Sequence, residues 1–349
     1  MNYRLLGGSG LRVSEMALGT MTFGEEWGWG AGAAEARRVY DAFREAGGNF
    51  IDTANVYTNG TSERFVGEFV KGHRSEVVIA TKYTNASLDP KNPPRDPNAG
   101  GNGRKNMVQA VEASLKRLGT DYIDLYWMHI WDGGLTPVDE VMRGFDDLVR
   151  SGKVLYVGVS DTPAWWVSQA NMLAELRGWS RFVGLQIEYS LAERTVEREL
   201  VPMARALGLT ITAWGALAGG VLSGKYRKGG GSGGRFATDM MRPAMPPEAR
   251  TGRVVEALEA VSREAGRPAA QVALAWLRTR DVPVIPIVGA RRLDQLEDNL
   301  ASLTLTLSRE QTAALDAASA IEPGFPHDFY QRAMVQQLVH AGMRERIVT

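Results

Sequence analysis

The feature that most constrains the fold is an alternation. Eight times along the chain a short apolar run is followed by a helical pattern. The runs are "MALGT" (16–20), "NFIDT" (49–53), "EVVIATK" (76–82), "YIDLYWMH" (122–129), "VLYVGVS" (154–160), "FVGLQIE" (182–188), "LTITAW" (209–214) and "VPVIPIVG" (282–289). Helical patterns follow at 33–47, near 62–71, at 106–119, near 136–151, from Pro163 onward, at 195–208, near 252–265 and 268–280, and near 292–301. Continuous apolar strands separated by helices predict a parallel sheet covered on its outer side. Eight such units in 349 residues predict an α/β fold, a closed (β/α)8 TIM barrel. A doubly wound open sheet is the alternative. It would carry a phosphate loop after its first strand, and "GTMTFGEEWGWGAG" is a poor version of one. The opening "YRLLGGSGLRVSEMALG" reads as an N-terminal β-hairpin ahead of the first barrel strand. The expectation is one domain spanning 1–349, with 322–349 as its C-terminal tail ending in a helix.

Three connections are longer than usual. They are 84–106 after the third strand, 223–247 after the seventh, and the tail from Glu322. In a barrel, loops at the C-terminal face form the rim of the active site. The Gly-rich middle of 223–247 has the composition of a flexible connection.

Composition narrows the partners. Forty basic and forty acidic residues give a formal net charge of zero, and no long basic run occurs. Nucleic acid and anionic membranes are therefore not expected partners. Cysteine is absent, which removes disulfides, thiol nucleophiles and thiolate metal sites, and no metal site is expected. The N-terminal stretch has no apolar signal core, and no run approaches the roughly 20 apolar residues of a membrane span. The expectation is a cytoplasmic protein of unreadable oligomeric state.

Two motif matches fail on context. "GGVLSGK" (219–225) fits G-x-x-x-x-G-K, but Tyr226 stands where a nucleotide-triphosphate loop needs Ser or Thr to hold magnesium. "GGGSGG" (229–234) fits G-x-G-x-x-G, but follows no strand.

The strand ends carry the chemistry. The second strand closes on Asp52, the third on Lys82 and the fourth on His129, with Tyr57 five residues beyond Asp52. Taken singly, these residues have structural explanations: a turn cap for Asp52, a lysine reaching solvent, a core histidine, a packed loop tyrosine. Neighbouring strands lie about 4.8 Å apart, so ionisable residues ending three consecutive strands meet in one cluster at the barrel mouth. That convergence favours a catalytic site.

With "FIDTANVY", "VIATK" and "DLYWMH" on the page, the chain resembles the aldo-keto reductase superfamily, whose site is an Asp, Tyr, Lys and His tetrad on this barrel. The likeness runs from "LGGSGLRVSEMALGTMTFG" to "GARRLDQLEDNL". "LGTMTFG", "QIEYSL" and "LSGKY" look most like the bacterial branch related to potassium-channel β subunits. The resemblance implies reduction of an aldehyde or ketone by hydride transfer from NADPH. Tyr57 is then the general acid, tuned by Lys82 and Asp52, and His129 orients the carbonyl or relays the proton. An ammonium about 4 Å from a phenol contributes roughly 4 kcal/mol at an effective dielectric of 20.

The resemblance also assigns the cofactor's contacts. Ser160, Asp161 and Gln186 would hold the nicotinamide carboxamide, and Trp214 would stack on the ring. Gly215, Leu217 and Gly219 would give amides to the pyrophosphate. Gly289 and Arg291 would meet the 2′-phosphate, with Gln295, Asp298 and Asn299 near adenine. The chain departs from the family at Asp161, commonly Asn, and at Trp214, commonly Tyr. Ser160 and Asp161 also suit capping of the helix that begins at Pro163.

Phe23, Trp27 and Trp29 in the first loop and Trp131 just past His129 are the expected substrate pocket, suited to an apolar or aromatic carbonyl compound. Two other readings remain at this level. One is an NADPH-binding regulatory or sensor protein with little turnover. The other is a Schiff-base aldolase using Lys82.

Overall fold

A computed structural model describes residues 1–87, 93–224 and 248–347. The middle of the 84–106 loop, most of the 223–247 loop with Lys225 and Tyr226, and the "GGGSGG" stretch lie outside the described residues.

Two short strands, β1 (Tyr3–Leu5) and β2 (Arg12–Ser14), pair antiparallel as the expected N-terminal hairpin. Eight parallel strands then close a barrel: β3 (Ala17–Gly19), β4 (Phe50–Asp52), β5 (Val78–Tyr83), β6 (Ile123–Met128), β7 (Val154–Ser160), β8 (Phe182–Glu188), β9 (Thr210–Trp214) and β10 (Val284–Gly289). Each pairs with its sequence neighbour, and β10 returns to β3 through Ile287↔Ala17 and Gly289↔Gly19. The open-sheet alternative is thereby set aside.

The helices between them are α1 (Ala33–Glu45), α2 (Thr61–Phe69), α3 (Arg104–Leu118), α4 (Val138–Arg150), α5 (Ala164–Arg177), α6 (Leu200–Leu207), α7 (Glu248–Ala265), α8 (Ala269–Leu277) and α9 (Leu293–Ala301). The pattern at 195–208 breaks into a single 3-10 turn, Thr195–Glu197, followed by α6. Pro202 sits in the first turn of α6, where its missing N–H has no intrahelical partner to lose. One helix was not anticipated, α10 (Arg309–Ala318), opened by a capping box in which the Ser308 hydroxyl accepts from the Gln311 amide. The tail holds two short helices, α11 (His327–Tyr330) and α12 (Ala333–Val339). Among the described residues no helix is long and apolar enough to cross a membrane.

Strand periodicity of two decides what fills the barrel. Ala17, Phe50, Val78, Ala80, Leu125, Trp127 and Ile285 form an inner cluster, joined from below by Leu6 and Val13 of the hairpin. Trp127 is the bulkiest of these, and neighbouring strands make room for it with glycine. A Cβ on Gly158 would stand 2.3 Å from the indole, and one on Gly184 2.9 Å from it. The same inward parity, carried one step further up each strand, brings Asp52, Lys82, His129, Ser160, Gln186 and Trp214 to the mouth. A second, larger cluster of strand residues of the other parity packs under the helices.

Candidate active site at the barrel mouth

Lys82 is the centre of the site. It is fully buried, and so is Asp52. The Lys82 ammonium donates to the Asp52 carboxylate, to the Thr53 carbonyl at 2.7 Å and to the Tyr57 phenol oxygen at 3.1 Å. Its three protons thus have three acceptors, the full capacity of an ammonium. Burial works against the charge on Lys82. The Asp52 carboxylate and Tyr57 outweigh it and hold the ammonium above the ordinary lysine value. Asp52 is fixed from its other side by the Gln186 side-chain amide at 2.9 Å, a bond that crosses the barrel from β8 to β4.

Tyr57 reaches this centre through an unusual stretch of backbone. It begins a short turn, Tyr57–Gly60, in which Thr58 and Asn59 take left-handed φ values of 46° and 54°. Such values are uncommon outside glycine and are held here by tertiary bonds. Thr58 is buried and donates to the Phe23 carbonyl at 2.6 Å. The phenol ring is half-buried and meets His129 edge-on, with centroids 6.0 Å apart. The Nδ1 edge of His129 faces the Asn85 amide at 3.2 Å, and its backbone N–H donates to the Thr84 hydroxyl. Burial, with the Lys82 ammonium adding to it, pushes the imidazole well below its ordinary value, so the ring is neutral near pH 7. Three residues predicted at separate strand ends, and the tyrosine beyond them, therefore converge. Asn85, Thr84 and the Thr53 carbonyl complete the set. "TKYTN" held the only sequence hint of the first two.

The residues expected near a nicotinamide lie alongside. Asp161 follows β7 with φ 42°, and its backbone N–H bonds to the Gln186 carbonyl at 3.1 Å. The Trp214 indole N–H donates to the Asp161 carboxyl at 3.0 Å, which locks both side chains. Burial pushes the Asp161 carboxyl up to about 6. The indole donor, Lys82 and the Ser160 side chain oppose the rise, and Glu188 adds to it. Gly215, Gly219 and Gly220 all take positive φ in the turn after β9, and the last two kink the segment Ala218–Ser223. Leu217 precedes that segment.

At the far end, Gly289 is exposed, and an added Cβ there would meet nothing closer than 3.7 Å. The Arg291 backbone N–H bonds to the Gln295 side chain at 3.0 Å, and its guanidinium reaches the Trp29 carbonyl at 3.4 Å. Asp298 accepts from Gln271 of α8 at 2.7 Å, and Asn299 is buried, so these two also tie α9 into the barrel wall. One amide at the start of α9, that of Leu293, already donates to Glu35.

The four expected pocket aromatics divide. Trp27 stacks obliquely on Trp29 and meets Tyr57 edge-on at 6.4 Å. Trp131 is half-buried and packs at right angles to Trp165, whose own ring is largely exposed. Phe23 has no exposed surface and packs edge-on against Phe69 of α2, inside the core. Trp165 was not anticipated: on sequence it is one of two adjacent tryptophans in a helix, with nothing to say which faces the rim.

Comparison with known proteins agrees with the barrel fold. The family model described as the aldo/keto reductase family matches residues 15–320. Among curated relatives, the aryl-alcohol dehydrogenase [NADP(+)] of Phanerodontia chrysosporium is 39% identical, covering 97% of this chain and 90% of the relative. The norsolorinic acid reductase of Aspergillus flavus is 38% identical, covering 94% and 83%. The norsolorinic acid reductase B of Dothistroma septosporum is 39% identical, covering 94% and 84%. These relatives are fungal enzymes, and they do not support the narrower likeness to the potassium-channel β-subunit branch. With eight parallel strands closed on themselves and a match over most of its length, the chain belongs to the aldo/keto reductase family and is an oxidoreductase.

Proposed function

We propose that the protein reduces an aromatic or otherwise apolar aldehyde or ketone with NADPH, and runs the reverse oxidation of the alcohol. The observation that carries this reading is the buried Asp52–Lys82–Tyr57 chain, which ends in a half-exposed phenol at the barrel mouth. Hydride arriving at a carbonyl carbon leaves negative charge on the oxygen, which needs a proton there. An ammonium 3.1 Å from a phenol oxygen favours release of the phenolic proton. Asp52 keeps that ammonium charged and in place. A neutral His129 edge-on to Tyr57 has a ring nitrogen to offer the carbonyl without adding a competing charge.

The residues fit a dinucleotide. Three positive-φ glycines, Gly215, Gly219 and Gly220, mark the kinked turn after the seventh barrel strand, a form in which successive backbone amides cradle anions. Ser160, Asp161, Gln186 and Trp214 would hold the nicotinamide end. Gly215, Leu217 and Gly219 would hold the pyrophosphate, and Gly289, Arg291, Gln295, Asp298 and Asn299 the adenosine end. When bound, NADPH supplies the hydride. Trp27, Trp29 and Trp131 favour a planar substrate, and one relative is named for aryl alcohols.

The test is NADPH consumption with a panel of aromatic and aliphatic aldehydes, wild type beside Tyr57→Phe. Turnover should fall by about 10²–10⁴-fold in the variant while NADPH affinity is kept. Undiminished turnover in Tyr57→Phe would remove the proton-donor role. Tight NADPH binding with no turnover on any substrate would favour a sensor. Arg291→Ala should weaken NADPH binding and leave NADH nearly unchanged.

A further inference from the structure

Asp161 is a half-buried acid that makes no ion pair among the described residues. The Trp214 N–H from β9 touches its carboxyl, Ser160 precedes it, and the Trp131 amide bonds to its carbonyl from the loop after β6 at 3.4 Å. The charged groups facing it are Glu188 at the end of β8, which opposes its ionisation, and Lys82 of β5, which favours it and is already saturated by its own three acceptors. The backbone adopts φ 42° at this residue, a conformation Asp tolerates better than most. It is one residue past a strand whose last position pairs with Gln186, and Gln186 touches Asp52. A hydride donor to a carbonyl held by Tyr57 must sit within about 3–3.5 Å of that carbonyl. Asp161 touches Gln186 and Trp214, the residues the reading above gives to the nicotinamide end.

We infer that the Asp161 carboxyl selects the charge state of the nicotinamide: as a carboxylate it favours the cationic, oxidised ring over the neutral, reduced one. The inference rests on the cofactor reading above and deepens it. The side chain is a positioning group with a thermodynamic bias. When ionised it stabilises bound NADP+ and tips the enzyme toward alcohol oxidation; when protonated, or replaced by a neutral amide, it loses that bias. The carboxyl's raised value places the change within the mildly acidic range. His129, already neutral there, does not contribute to it.

The measurement is the dissociation constant of NADP+ and of NADPH, by calorimetry or tryptophan fluorescence, from about pH 5 to about pH 8. The ratio of the two constants is the readout, because titration of the 2′-phosphate affects both forms alike and cancels. In the wild type the ratio should shift in favour of NADP+ by about tenfold or more as pH rises, the scale on which one close charge changes another's ionisation. In Asp161→Asn it should be flat and displaced toward NADPH. A ratio independent of pH in the wild type would overturn the inference without any variant. Equal weakening of both forms in Asp161→Asn would do the same, as would a pH-dependent ratio that survives the substitution. If neither form binds the wild type, the cofactor reading itself is wrong, which is a separate result.

Discussion

Asp52 and Lys82 illustrate what a single buried residue costs and supports. Each charge is acceptable inside the barrel because the other is there, with Gln186 and the Thr53 carbonyl taking the remaining contacts. Lys82→Met should remove turnover by about 10²–10⁴-fold. It should also destabilise the fold by about 3–5 kcal/mol, because it strands the Asp52 carboxylate. Denaturant unfolding beside the kinetics separates the two losses. Two titrating groups give stability a pH signature. Asp161, raised to about 6 from an ordinary value near 3.9, holds a proton in the folded chain that the unfolded chain has lost between those values. Its contribution is present below about 4 and disappears as pH climbs through about 6. His129 acts oppositely: below its ordinary value of about 6.5 the unfolded chain takes a proton that the folded one refuses, so stability falls as pH drops. Asp161→Asn should remove the first slope and leave the second, as read from unfolding free energies across the acid range.

At the scale of the element, the period of two in a strand is what gathers the site. "VIATK" and "DLYWMH" place Lys82 and His129 on the face that already carries Val78, Ala80, Leu125 and Trp127. A register slip of one residue would turn the tetrad outward under the helices. Gly158 and Gly184 keep this register compatible with a tryptophan inside the barrel. Gly158→Ala sets a methyl 2.3 Å from the Trp127 ring and should cost about 1–3 kcal/mol. Adding Trp127→Phe should recover part of that loss in the unfolding midpoint. The strands that gather the site were legible because strand ends and apolar runs are local features. The helix α10 was equally legible in principle, since Ser308 and Gln311 have capping-box spacing, but a capping signal stands out less than eight repeated units.

At the scale of the whole molecule, the barrel is a tube that must be stopped at one end to have a single mouth. The hairpin does this. Leu6 and Val13 are fully buried in the inner cluster, and the Gly7 amide bonds to the Thr210 hydroxyl at 2.7 Å. Gly7 is needed there, since a Cβ would stand 2.0 Å from the Val183 carbonyl oxygen. Leu6→Ala should destabilise by about 2–5 kcal/mol while changing turnover per folded molecule less than twofold. Chemical unfolding and active-site titration together check both halves. The seam is closed in turn by β10 on β3, by the Thr22 hydroxyl on the Ala290 carbonyl, and by Arg278 on Glu15.

The alternation of eight apolar runs with helical patterns was enough to determine a parallel sheet covered by helices, and the pairing of β10 with β3 decided that it closes into a barrel. The residues at the strand ends were enough to bring Asp52, Lys82 and His129 to the mouth, because their facing follows from parity, whereas Tyr57 joins them only through the turn Tyr57–Gly60. What the chain alone left open was decided by contacts between distant segments. Phe23 and Trp27 lie four residues apart in one loop, yet one is core and the other meets Tyr57, since only the docking of that loop on α2 separates them. Asp161 and Trp214 are 53 residues apart and become one hydrogen-bonded unit only when β7, β8 and β9 stand side by side. Such pairings depend on long-range packing, and no local pattern of residues encodes them.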